Sequence, residues 1–139
     1  MKFVENDYNV VITSRDSKKE TAVKNEFKAK GLEVDFKVLD VRNEEQVQAL
    51  IKETVTKYGK LDVMVNNSGI SLGNAVLADT ESDDLKQMLD TNVMGVYYGM
   101  KYAIKEMLKT NGGSIVNLAS IAGLNELYAT AQYCATNML

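Results

Sequence analysis

Four short apolar runs, separated by stretches of helical periodicity, constrain the fold of this 139-residue chain more than any other feature. Residues 8–14 (YNVVITS) form a short β-branched apolar run, the pattern of a strand covered on both faces, and residues 34–39 (VDFKVL), 61–66 (LDVMVN) and 113–119 (GSIVNLA) read as three further strands. Between them the period changes. Residues 17–30 read as a helix with Ser17 placed as its cap, Glu20 at the capping-box position, and Gly31 past its end. Ala22, Val23 and Phe27 form its inward stripe. Asn43 opens a second helix in which Val47, Leu50, Ile51 and Val55 recur at three- and four-residue steps as far as Gly59. Residues 81–109 read as a long helix, bent or divided near Asn92, and a last helix starts near Tyr128. Strands joined by helical crossovers run parallel, so the expectation is one α/β domain over residues 1–139 with a doubly wound parallel sheet.

Composition removes several functions. A net charge of −3, with sixteen basic residues spread among nineteen acids, offers no patch for nucleic acid. No apolar run reaches the length of a membrane span, and the opening MKFVEND holds no signal-peptide core. Histidine is absent, which excludes imidazole metal sites and Ser-His-Asp triads within this chain. The single cysteine, Cys134, cannot form an internal disulfide, as suits a reducing cytoplasm. No metal site is expected.

What remains is hydroxyl chemistry. Ser120 closes the fourth apolar run and Tyr133 follows thirteen residues later on a helical stretch, a layout for moving a proton onto or off a substrate oxygen. Asn67-Ser68-Gly69 follow the third run, and Asn92 sits within TNVMG. A serine at a strand end is usually a loop residue, and a helical tyrosine is usually an amphipathic core residue. The joint spacing, together with Asn92, lifts the set above those bland readings. With these residues in place, the chain resembles the short-chain dehydrogenase/reductase family over nearly its whole length.

That resemblance implies a Rossmann-like fold, a nicotinamide cofactor, and reduction of a small-molecule carbonyl or oxidation of an alcohol. It assigns Ser120 to the substrate oxygen, Tyr133 to proton transfer, and Asn92 to a water of a proton relay. Asn67, Ser68 and Gly69 would lie beside the cofactor, and Asp40 would contact its adenine. Ser14 and Arg15 stand where an acid would bind the ribose of NAD; an arginine there suits a 2′-phosphate, so the cofactor implied is NADP. For Asn67–Gly69 the alternative is an ordinary turn, and for Asp40 a capping or solvated carboxylate.

Two departures from the family pattern matter. No glycine-rich phosphate loop occurs in the N-terminal region, and residues 1–7 look like the end of the helix that would follow one. The family's first strand, which is central, would then be missing. Direct pairing of residues 8–14 with 61–66 would close the sheet in the order 2-1-3-4, because unpaired buried backbone is costly. The second departure is Asn137, which stands where the family motif Tyr-x-x-x-Lys has its lysine. A cation about 5 Å from a tyrosine hydroxyl, at an effective dielectric of about 20, is worth roughly 3 kcal/mol. Asn137 can hydrogen-bond a ribose but supplies no such field.

Val93, Val96, Tyr97, Met100, Ile104, Met107 and Leu108 cover a wide arc of the long helix, more than one packing face requires. A homo-oligomer formed through residues 93–109 and 128–139 is expected. Three functions stay open at this level: an NADP-dependent short-chain oxidoreductase, a non-catalytic relative limited to self-association or weak nucleotide binding, and a flavodoxin-like signalling module. The last would need a carboxylate cluster at strand ends, where only Asp40 sits.

Overall fold

The computed structural model describes residues 2–73, 75–124 and 130–137. Among them, strands and helices alternate: β1 (Val11–Ser14), α1 (Lys19–Lys28), β2 (Asp35–Val38), α2 (Glu44–Tyr58), β3 (Val63–Asn66), α3 (Ser82–Met88), α4 (Gly95–Met107), β4 (Ser114–Asn117) and α5 (Ala131–Asn137). Each of the four apolar runs supplies a strand. The last helix is described from Ala131, and Tyr128 lies outside the described residues.

Helix α2 follows its sequence signals closely. Asn43 Oδ1 accepts the amide of Gln46 at 3.0 Å, Glu44 and Glu45 occupy the positive end of the helix dipole, and Gly59 closes it at φ +83°. Helix α1 begins differently from expectation. Ser17 makes no cap; Asp16 Oδ1 accepts the amide of Lys18 at 2.9 Å, and Ser14 Oγ accepts the amide of Asp16 at 3.2 Å. An ionised carboxylate is the stronger acceptor, so the turn tightens around Asp16 and the helix starts at Lys19. Val23 and Phe27 are half-buried, whereas Ala22 faces solvent. The division expected near Asn92 takes the form of a π-helical segment, Leu89–Met94, between α3 and α4. Its extra residue per turn changes which side chains face inward at that point.

Strands β1 and β2 pair in parallel, Val11 opposite Asp35 and Ser14 opposite Val38; β3 and β4 do likewise, Val63 opposite Ser114 and Asn66 opposite Asn117. Helix α4 turns Gly95, Gly99, Ala103 and Met107 inward at four-residue steps, and this narrow stripe lets it lie close against α2 and β3. The core between them is Leu39, Val47, Ile51, Ala103 and Met107. Lys101 Nζ and the Tyr102 hydroxyl both donate to Glu44 Oε1, fixing α4 to the start of α2. Asp35 and Lys37 of β2 reach α2 through Lys57, Tyr58 and Glu53, so Phe36 and Val38 point to the opposite face, where α1 packs on β2. Helices therefore cover both faces, as a doubly wound α/β fold requires. No helix among the described residues is long and apolar enough to cross a membrane.

The expected closure of the sheet in the order 2-1-3-4 does not form. β1 and β3 are not hydrogen-bonded, and the strands stand as two pairs, β1-β2 and β3-β4. A cavity of ≈ 480 Å³ separates the pairs, lined by Val11, Thr13, Val63 and Val65 and roofed by α2 and α4. The reason lies in that roof. Packed helices sit about 8–10 Å apart, about twice the 4.8 Å spacing of strands. Helix α2 holds β2 through Asp35 and Lys37 while α4 holds β3, so drawing β1 onto β3 would break those ties.

Candidate functional site

The C-terminal ends of β1 and β3 converge on a second cavity of ≈ 450 Å³. Ser14, Arg15, Asn67, Ser68 and Gly69, expected from sequence to contact a cofactor, all line it. Two further residues in its wall escaped the sequence reading. Lys19 opens α1 one turn after Arg15, and Thr91 comes from the π-helical segment. Neither Arg15 nor Lys19 forms an ion pair with another described residue. Thr91 is 3% exposed, and its Oγ1 has no hydrogen-bond partner. That oxygen has almost no accessible surface, so it faces the protein interior rather than the cavity. Arg15, Lys19 and the glycine-containing turn offer donors, with the Asp16 carboxylate in the same wall, and such a set can meet a phosphorylated ligand.

Asp40 does not line the cavity. Arg42 grips its carboxylate through Nε at 3.0 Å and Nη2 at 2.6 Å, and the Arg42 amide donates at 3.1 Å. The hydrogen bonds from Arg42 hold the Asp40 carboxyl below the usual carboxylate range, with burial opposing and Arg15 adding a small further pull. The alternative reading from sequence was a capping or solvated carboxylate; Asn43 caps α2, and Asp40 is instead held by Arg42.

The residues expected from sequence to handle a proton gather around α5. Asn92 Oδ1 accepts the Ile70 amide at 2.8 Å, and its Nδ2 donates to the Ile70 carbonyl and to Thr136 Oγ1, each at 2.9 Å. Both amide hydrogens are thereby engaged, and one lone pair of Oδ1 remains. Asn92 thus ties the turn after β3 to the helix that carries Tyr133. Thr136 was not singled out in the sequence, although its i+3 spacing from Tyr133 puts it on the neighbouring face. The Tyr133 hydroxyl, half-buried, makes no hydrogen bond with another described residue.

Ser120 caps the short 3₁₀ turn Ile121–Gly123: its Oγ accepts the Ala122 amide at 3.2 Å, and its own O–H stays available to donate. That turn sits against the end of α5 so closely that a Cβ on Gly123 would fall 2.2 Å from the Asn137 carbonyl oxygen. Asn137 folds back on its own helix, donating through Nδ2 to the Tyr133 carbonyl at 2.9 Å. Helix α5 also buries Gln132, Cys134 and Thr136, and Gln132 Nε2 donates to the Glu81 carbonyl at 3.2 Å.

The family model for short chain dehydrogenases matches residues 1–138. The chain is 37% identical over 139 residues to the 3-oxoacyl-[acyl-carrier-protein] reductase FabG of Staphylococcus aureus, covering 98% of this chain and 55% of that protein. It is 35% identical over 127 residues to the 3beta-hydroxysteroid dehydrogenase of Mediterraneibacter gnavus, covering 91% of this chain and 46% of the relative. Among solved structures, ElxO with NADP bound superposes with a TM-score of 0.91 at 42% identity, over 99% of this chain and 55% of ElxO. A gluconate 5-dehydrogenase from Burkholderia cenocepacia, in complex with NADP and tartrate, superposes with a TM-score of 0.87 at 30% identity, over 97% of this chain and 52% of the other. The chain spans about half the length of the relatives it matches.

Proposed function

The chain belongs to the short chain dehydrogenase family, and from that premise we propose that it forms the substrate and 2′-phosphate side of an NADP-dependent oxidoreductase that reduces a small-molecule carbonyl or oxidises the alcohol. The observation that carries the reading is the second cavity. It brings Ser14, Arg15, Lys19, Asn67, Ser68 and Gly69 to one place at the strand ends. NADP is the bound molecule named for ElxO, whose structure this chain follows closely.

The residues present fit the cofactor's ribose phosphate. Arg15 and Lys19 would hold the 2′-phosphate, and the turn 67–69 would lie along the ribose. The cofactor supplies or accepts the hydride. In this reading Ser120 donates to the substrate oxygen, and the Tyr133 hydroxyl gives that oxygen its proton. Asn92 positions both the turn and the helix rather than touching the reacting atoms, since its two N–H groups already bond Ile70 and Thr136.

Calorimetric titration with NADPH and NADH tests this. A charge-assisted contact to the 2′-phosphate is worth about 1.5–3 kcal/mol, so NADPH should bind at least about tenfold more tightly than NADH. Arg15→Ala should remove most of that difference. Equal affinity for the two dinucleotides, or no binding of either, would remove the proposal.

Self-association through α4 is the second part of the reading. Its inward stripe is Gly95, Gly99, Ala103 and Met107, yet Tyr97, Ile104 and Leu108 are also apolar and remain exposed, Leu108 at 77%. An aromatic and aliphatic ridge of that kind, next to a face already packed, suits a second copy. Light scattering coupled to gel filtration should give a mass above that of one chain, and Tyr97→Glu should return it to one. A single-chain mass at every accessible concentration would count against it.

A further inference from the structure

We propose that the turn between α4 and β4 is a modification site, at which Asn111 converts itself to aspartate and isoaspartate with loss of ammonia. Asn111 is the one asparagine of the chain that is followed by glycine; every other precedes a residue with a side chain. That difference matters because the nucleophile is the next residue's amide nitrogen, which must approach the asparagine Cγ, and a Cβ beside it obstructs the approach. Here the approach is open. Gly112 is exposed, and no described atom lies within 4 Å of where its Cβ would stand. Its φ of +88° is also the reason a glycine is found there, since α4 closes through a left-handed residue.

Two further observations leave the pair reactive. Asn111 is exposed, outside the helix and the strand on either side, and its side chain forms no hydrogen bond with another described residue. The Gly112 N–H is loosely held. It donates to the Met107 carbonyl at 3.2 Å, but that oxygen also accepts the Thr110 amide and the Thr110 hydroxyl, each at 3.1 Å. A carbonyl oxygen has two lone pairs, so three donors compete and the longest contact is the most readily released.

The reaction balances with water alone. The Gly112 nitrogen gives its proton to hydroxide and bonds to Asn111 Cγ, while the Cγ–Nδ2 bond breaks and ammonia leaves, closing a cyclic imide. Both groups sit on adjacent residues, so no encounter is needed. Water then opens the ring at either carbonyl, giving aspartate, or isoaspartate with an extra methylene in the main chain. Either product makes the net charge one unit more negative. Isoaspartate also lengthens the chain just before Ser114, whose amide donates to the Asp62 carbonyl at 2.8 Å where the β3–β4 pair begins.

Incubation of the intact chain at mildly alkaline pH tests this, read by peptide mapping with mass spectrometry and by methyl labelling with an isoaspartyl methyltransferase. Asn111 should convert on the order of tenfold or more faster than any other asparagine. The signal from this turn should vanish in Asn111→Gln, whose longer side chain closes the ring poorly. Thr110→Val removes one competitor for the Met107 carbonyl, so conversion should slow roughly threefold. In a free peptide of residues 109–114, which lacks Met107, the same change should have no effect. Conversion of Asn111 no faster than that of the other asparagines would overturn the proposal. So would a Thr110→Val variant that matches the parent chain, or that slows the peptide equally.

Discussion

Gly99→Ala will destabilise this chain by about 3 kcal/mol, the sum of an overpacking cost of roughly 1–3 kcal/mol and a displaced hydrogen bond worth about 1 kcal/mol. A Cβ at residue 99 would sit 2.1 Å from Asn66 Oδ1 and 2.9 Å from Met64 Cε. Met64 can swing away, but Asn66 cannot. It is 8% exposed, and its Nδ2 donates to Asn117 Oδ1 at 2.8 Å across the β3–β4 pair. For a chain of this length such a loss lowers the melting temperature by about 10 °C. The control is Gly69→Ala, where an added methyl meets Asn92 Oδ1 at 3.6 Å, an ordinary contact, so the cost should stay below about 1 kcal/mol. A double-variant cycle completes the test. If Gly99 is small because of Asn66, then Gly99→Ala with Asn66→Ala should be more stable than the two separate losses predict. Strict additivity would refute this account of Gly99.

Asn92→Ala should cost a similar amount, about 3 kcal/mol, for a different reason: it removes three hydrogen bonds of roughly 1 kcal/mol each and leaves the part-buried Ile70 amide without its acceptor. The comparison variants apportion the effect. Thr136→Val deletes the bond from Asn92 to α5 together with the Thr136 Oγ1 bond to the Tyr133 carbonyl, and should cost about 1–2 kcal/mol. Asn92→Asp keeps the acceptor for the Ile70 amide and loses both donors, so it should fall between the two. Chemical denaturation gives the energies, and exchange of the Ile70 amide shows whether the turn after β3 has come loose. If Asn92→Ala is no worse than Thr136→Val, Asn92 does not join the turn to the helix.

The sequence is most informative where one signal dominates. Asn43, the steps of Val47, Leu50 and Ile51, and Gly59 define α2 because capping, amphipathicity and a left-handed terminus agree. Ser17 misled because Asp16 takes the Lys18 amide and Ser14 takes the Asp16 amide, so the turn is organised one residue before it. The five residues of the second cavity were legible because the family resemblance assigned them, while the apolar runs placed them at strand ends. Lys19 and Thr91 were not, since a surface lysine and a helical threonine have no periodic signature, and only the convergence of β1, β3 and the π-helical segment places them together. Asp40 shows the reverse case: its position was found, but Arg42 two residues later takes its carboxylate. The failed closure of β1 onto β3 has the broadest lesson. Backbone satisfaction argued for it, but the thickness of helices, a property of no single residue, sets the strand positions.

The strand borders that line the first cavity, at Val11, Thr13, Val63 and Val65, also shape how this polypeptide fares after synthesis. Bare strand borders invite cross-chain stacking and give proteases a segment to grip. Here each strand is only four residues long and lies beneath α2 and α4. Shortness and cover thus shield those borders from both hazards.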